Sequence, residues 1–192
     1  MKSILPVGLC AIALAACDSG PEASTGGVNT GDPKAGVMAT DFTTRDVDGK
    51  TFRLSDHIGK EVILIDFWAT WCVPCLAEFP HLEKMYQEQK AKGFLVVAVS
   101  MDGSDTIAEV PSFAKRNNVS FPVLLDEDSH VAAIYNPRKS APLSSLIDRK
   151  GHVVAVREGY NAGDEVSLYA DVKKYVDEPL NPAAQPPPAT KP

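Results

Sequence analysis

The order of apolar and polar runs in this 192-residue chain predicts an α/β protein, a central mixed β-sheet flanked by helices. Three observations point there. Two continuous apolar runs, EVILIDFWA (61–69) and FLVVAVSMD (94–102), are rich in β-branched residues and read as central strands covered on both faces. The segment between them has helical spacing, so the three together make a strand–helix–strand unit with a right-handed parallel crossover. Later, two strand-like runs flank the turn Asp148-Arg149-Lys150-Gly151, which adds antiparallel strands.

Each element has its own signal. DFTTRDVDGKTFRLSD (41–56) is a hairpin around Asp48-Gly49, a strong turn dipeptide, and it forms an N-terminal β-hairpin extension. In the segment from Cys72 to Lys92, Leu76, Phe79, Leu82 and Met85 recur three apart with charges between them, and Gly93 stops the helix. DTIAEVPSFAKRNN (105–118) reads as a helix that Pro111 must break, kink or begin. FPVLLD (121–126) is strand-like, and DSHVAAIYN (128–136) is a short helix. PLSSLID and HVVAVREGY form the late hairpin. GDEVSLYADVKKYVDE closes the chain as an amphipathic helix, with Val166, Tyr169, Val172 and Val176 expected on one face.

The two ends differ from this pattern. Lys2 precedes a 13-residue apolar stretch, Ile4 to Ala16, which suits a signal sequence and is too short to span a bilayer. Leu14-Ala15-Ala16-Cys17 resembles the lipobox of bacterial lipoproteins, which implies cleavage after residue 16, lipidation of Cys17 and loss of Cys10. Asp18 resembles the inner-membrane retention signal of Gram-negative lipoproteins. Residues 17–36 are rich in Gly, Ser, Thr and Pro and read as a flexible linker with a reach of roughly 25 Å. The domain is expected over 37–178. Residues 179–192 hold six prolines, which suit neither a helix nor a central strand, so a disordered tail is expected. A formal net charge of −6 and the lack of any basic block argue against nucleic acid as a partner.

Chemistry concentrates in DFWATWCVPCLAEFP (66–80), which holds both tryptophans and the pair Cys72 and Cys75. A C-x-x-C pair can be half of a zinc site, a structural staple or a redox centre. This order of elements, with W-C-x-x-C where the first core strand meets its helix, resembles the thioredoxin fold. The finer resemblance is to the TlpA/ResA-like thiol–disulfide reductases of the bacterial cell envelope. It rests on DGKTFRLSDHIGKEVILIDFWATWCVPCLAEFP, GFLVVAVSMD and APLSSLIDRKGHV, and with their spacing it covers residues 38 to 177. It implies a membrane-anchored enzyme that exchanges disulfides with exported proteins.

At the first turn of a helix, free backbone N–H groups and the helix dipole favour a thiolate, so Cys72 is the expected nucleophile. Cys75, three residues on, is expected to be more buried and to resolve the mixed disulfide, leaving a Cys72–Cys75 disulfide. A structural zinc site needs four ligands, and the four histidines form no H-x3–5-H pair, so no metal is expected. A staple closing a two-residue loop removes little unfolded-state entropy. Asp66 sits in an apolar run where a charge is costly, which should raise its pKa. Thioredoxins carry an aspartate at this position, and the resemblance implies that it takes the proton of Cys75. Many TlpA/ResA-like proteins have Asn instead. Glu78 lies one helical turn after Cys75 and matches the family's AEFP glutamate, which implies a part in proton transfer.

Pro142 aligns with the family's cis-proline, which implies that Ala141 presents its backbone to a partner peptide. Trp71 is expected to cover the disulfide, Trp68 to pack inside, and Pro80 to kink its helix. No cofactor is expected. The resemblance implies a membrane electron donor of the DsbD/CcdA type and substrates such as apocytochrome c or copper-site assembly factors. Two rivals stand beside it. A strained disulfide of the same fold would act as a thiol oxidant, and the thiol pair could instead carry Cu(I). The peroxiredoxin pattern P-x3-T-x2-C is absent around Cys72.

Overall fold

The structure, a computed structural model, describes residues 36–179. The leader, Cys17 with its linker up to residue 35, and the tail beyond residue 179 lie outside the described residues. Among the described residues, seven strands form one sheet: β1 (Thr43–Asp46), β2 (Thr51–Arg53), β3 (Val62–Trp68), β4 (Phe94–Ser100), β5 (Val123–Leu125), β6 (Leu143–Ile147) and β7 (Val153–Glu158). The helices are α1 (Val73–Gln89), α2 (Val110–Arg116), α3 (His130–Tyr135) and α4 (Asp164–Val176). No helix among the described residues is long and apolar enough to cross a membrane.

The strand order is β2-β1-β5-β4-β3-β6-β7. β3, β4 and β5 are parallel neighbours, and β6 and β7 add antiparallel pairs beyond β3. The N-terminal hairpin does not stand apart: β1 pairs antiparallel with β5, Arg45 opposite Leu125, and lengthens the sheet. Both central strands are buried along their whole length, as two-sided cover requires.

The period-two alternation of β3 divides the core. Val62, Leu64 and Trp68 pack with Phe79, Leu82 and Met85 of α1, Val110 of α2, and Leu168, Val172 and Val176 of α4. Ile63, Ile65 and Phe67 face the other way, toward Val131 and Tyr135 of α3 and toward Phe42 and Phe52 of the N-terminal arm. Burial of each such side chain contributes about 1.5–3 kcal/mol, so both layers are needed to hold the sheet. Trp68 packs with tilted rings 4.6 Å from Phe79 and 4.7 Å from Phe113, centroid to centroid, which ties α1 and α2 to the end of β3.

Two helices differ from the sequence reading. The stripe of α4 runs through Leu168, Val172 and Val176, while Val166 is 70% exposed. A four-residue step stays on one face of a 3.6-residue helix, whereas repeated three-residue steps drift off it. The helix expected over 105–118 begins as a 3-10 turn, Ile107–Glu109, and becomes α2 at Val110 with Pro111 in the first turn. There the missing proline N–H would have had no helical partner. After α1, a 3-10 turn over Lys90–Lys92 ends at Gly93, whose φ of 80° is left-handed. A Cβ at Gly93 would sit 3.1 Å from the Lys60 carbonyl, so glycine also permits the close approach that starts β3.

Candidate active site

β3 runs under α1 and leads through a short loop, residues 69–72, into that helix. Cys72 is the N-cap of α1, with extended backbone (φ −87°, ψ 94°), and its sulfur accepts the Cys75 N–H at 3.3 Å. Val73 and Pro74 fill the first turn, where a residue without an N–H leaves no bond unmade. The Cα atoms of Cys72 and Cys75 lie 5.3 Å apart, and the two sulfurs are joined as a disulfide. Cys72 is 5% exposed and Cys75 fully buried, so of the two residues only Cys72 has any surface open to a partner. Trp71, one residue earlier, is 60% exposed and Val73 is exposed too, which leaves apolar surface on both sides of Cys72 in the chain. Trp68 is buried in the core.

Asp66 points to the same side of the sheet as Leu64 and Trp68, the side that α1 covers. It is 1% exposed, and neither of its oxygens has a hydrogen-bond partner among the described residues. Burial pushes its carboxyl up to about 7. Glu78, on α1 one turn after Cys75, is 6% exposed, and its Oε2 is likewise unpartnered. Burial first, then the charges of Asp66, Asp164 and Glu165, push it up to about 9, while Arg157 works the other way. Both carboxyls are thus held above the ordinary carboxylate range, each by burial first and Glu78 also by the charge of Asp66, so the pair keeps protons to higher pH than free acids do. A pair of acids that shares protons in this way, on the side of the sheet that α1 and its cysteines cover, can take up or give a proton.

The third wall comes from β6. Asp66 lies opposite Ser144 in the β3–β6 ladder and Phe67 opposite Leu143, so Pro142 reaches the sheet beside the end of β3. The Ala141–Pro142 peptide bond is cis, and the Pro142 carbonyl accepts the Gly159 N–H at 2.8 Å. Ala141 is half-buried. A cleft of about 280 Å³ opens between Pro142, Ser144, Arg157, Tyr160, Asp164 and Glu78. Glu78 is one of the residues that line it.

The fold thus gathers Asp66, Trp71, Cys72, Cys75, Glu78, Ala141 and Pro142 at one end of the sheet. Cys17 lies outside the described residues. Arg157 and Tyr160 were not legible as part of this neighbourhood, because Arg157 lies in β7 and Tyr160 just after it, and no local pattern links them to Cys72. Among the described residues one other group could hold a metal ion, Asp126, Asp128 and His130, at the start of α3. Its buried member is already committed: the Asp126 carboxylate accepts the N–H groups of Val131 and Ala132.

A cysteine pair at a helix start, with a buried acid beneath and a cis-proline beside it, on a mixed sheet, defines a thiol–disulfide exchange site. The AhpC/TSA family profile matches residues 35–156. The thiol-disulfide oxidoreductase ResA of Bacillus subtilis (strain 168) is 39% identical over 139 residues, which cover 72% of this chain and 75% of that protein. A crystal structure from Chlorobium tepidum, assigned as the thiol:disulfide interchange protein DsbE, is 34% identical. It superposes with a TM-score of 0.68 over 74% of this chain and 97% of that one. The thioredoxin domain of a thiol-disulfide oxidoreductase from Bacteroides vulgatus gives 28% identity and a TM-score of 0.62, covering 74% and 98% of the two chains. The chain belongs to the AhpC/TSA family and, within it, to the ResA-like thiol-disulfide oxidoreductases with a thioredoxin-like α/β fold.

Proposed function

We propose that this oxidoreductase is a lipid-anchored reductase of the bacterial cell envelope that faces the periplasm and reduces disulfides in exported proteins. The Cys72 thiolate attacks a partner disulfide. A bond forms between Cys72 Sγ and one partner sulfur, and the other partner sulfur leaves as a thiolate that takes up a proton. Cys75 then gives its proton to the Asp66 carboxylate and attacks Cys72 Sγ, releasing the second partner thiol. Two electrons pass to the partner, and Cys72–Cys75 is left as a disulfide. Glu78 exchanges protons between Asp66 and the cleft. Trp71 and the backbone of Ala141, next to Pro142, hold the partner peptide as an added strand.

The observation that carries this reading is a helix-start sulfur that accepts the Cys75 N–H, together with a buried acid on the same side of the sheet that has no hydrogen-bond partner among the described residues. Such an acid costs the fold stability, and groups of this kind cluster at functional sites. Export is supported by the leader over residues 1–16, and the anchor by the lipobox at Cys17. Asp18 favours retention at the inner membrane. In an oxidising compartment the enzyme needs a source of electrons, and a membrane donor of the DsbD/CcdA type meets that need. Apocytochrome c and copper-site assembly factors are the substrate classes that suit this family.

The test is the redox equilibrium of Cys72 and Cys75 in the full-length chain, read by tryptophan fluorescence against defined thiol buffers. A midpoint near about −270 mV supports the reductase. A midpoint near about −120 mV makes the protein an oxidant of exported thiols and sinks the reading.

A further inference from the structure

The end of β4 touches both loops that build the site. Asp102 follows that strand and is buried. Its Oδ2 accepts the Thr70 N–H at 3.0 Å and the Ser100 hydroxyl at 2.9 Å, and its Oδ1 accepts the Thr70 hydroxyl at 2.5 Å. The Asp102 N–H in turn donates to Ser100 Oγ at 3.1 Å. Thr70 stands two residues before Cys72, and the Met101 N–H donates to the Trp68 carbonyl at 2.7 Å. The loop that enters α1 is therefore held at Trp68 and Thr70 by two successive residues.

The opposite loop is held through the same stretch. Asn136 is buried, and its Nδ2 donates to Met101 Sδ at 3.3 Å and to the Ser140 carbonyl at 2.7 Å. Its Oδ1 accepts the Ser140 N–H at 2.9 Å. Ser140 immediately precedes Ala141 and Pro142. One end of one strand thus fixes the cysteine loop on one side and the proline loop on the other.

A buried carboxylate is an expensive way to hold a loop when neutral groups would do, and its bonds are about twice as strong as neutral ones. That expense makes sense where a small displacement matters. Reaction rates at a preorganised site fall steeply when a group moves by even about 1 Å. We propose that Asp102 is a positioning residue for thiol–disulfide exchange: through Thr70 it holds the loop before Cys72, so that the sulfur meets the first turn of α1 and keeps its distance from the Pro142 loop. The inference rests on exchange at Cys72.

The test compares Thr70→Val, which keeps the shape and loses the hydroxyl, with Thr70→Ser, which keeps the hydroxyl. The reduced full-length chain is reacted with oxidised glutathione, thiolate absorbance is followed through a pH titration, and thermal melting checks the fold. Thr70→Val is expected to react about tenfold more slowly, the scale of one hydrogen bond to a charged group, and to shift the thiolate titration. Thr70→Ser should stay within about twofold of wild type on that same scale. Asp102→Asn, which weakens the same clamp from the other side, gives the same readout if Thr70→Val does not fold. A variant that melts lower yet reacts at the wild-type rate, with an unchanged thiolate titration, shows a purely structural clamp and overturns the proposal. A wild-type chain that fails to react with glutathione overturns the exchange reading and this inference together.

Discussion

The Cys75 N–H donates to Cys72 Sγ across 3.3 Å. This is one of the orphan amides of the first helical turn, and its partner is the sulfur itself. When the disulfide is reduced, the same amide meets a thiolate, which it stabilises more than a thiol. The Cys72 pKa is therefore expected below the ordinary value of about 8.5. Cys75→Ser should accumulate mixed disulfides on Cys72 that non-reducing gels resolve, and Cys72→Ser should accumulate none. Adducts on Cys75 in the second variant would reverse the assignment.

Asp66 makes stability depend on pH. Its folded pKa, raised by burial from 3.8 to about 7, lies above the unfolded value. The neutral acid is tolerated in the fold, so no penalty exists below about pH 4. As pH rises from about 4 through about 7 this carboxyl costs the folded state stability, on the order of 1–3 kcal/mol, and its own share then levels off. Asp66→Asn removes this loss. Urea unfolding should show the variant more stable than wild type at pH 8 by roughly 1–3 kcal/mol and little different at pH 4. The same variant should slow turnover at neutral pH while the fold stays intact. Equal pH slopes for the two proteins would mean that Asp66 is hydrated.

Glu78 is held higher still, at about 9, chiefly by burial and then by Asp66. In the wild type, ionisation of Glu78 places a second negative charge beside the acid that must accept the Cys75 proton. The exchange rate should therefore bend near pH 9. In Glu78→Gln that inflection should disappear, and the rate at pH 7 should fall about tenfold or more if the carboxyl relays protons. A rate–pH profile from 6 to 10 decides it, and a retained inflection would assign it to another group.

Arg149 carries a structural prediction far from the sulfurs. Its guanidinium donates to the carbonyls of Tyr175, Val176 and Glu178 at the end of α4, and to Lys92 after α1. These carbonyls have no helical partner, and the helix dipole favours a cation there. Arg149→Ala should cost about 2–3 kcal/mol in urea unfolding, with the midpoint potential of the cysteines unchanged. A potential that moved with stability would link this end of α4 to the site.

Much of the protein was determined by sequence alone. The two-sided burial of β3 and β4 follows from their unbroken apolar runs, and the stop after α1 follows from Gly93. The place of the thiols follows from a C-x-x-C at a strand-to-helix junction. All of these are short-range statements, since each depends on residues within a turn or a strand of one another. Other features were decided only by the tertiary structure. Val166 and Leu168 are both apolar and two positions apart, so only the direction from which the sheet approaches α4 selects the buried one. The N-terminal hairpin could have stood free, and its edge hydrogen bonds to β5 attach it to the sheet. The bonds by which Asp102 and Asn136 join the two loops carry no local signature, because they reach Thr70, 32 residues back in the chain from Asp102, and Met101, 35 residues back from Asn136. Local chemistry writes the thiol pair into the chain. The spacing of the loops around it is a long-range property, set by which strand ends the sheet brings together.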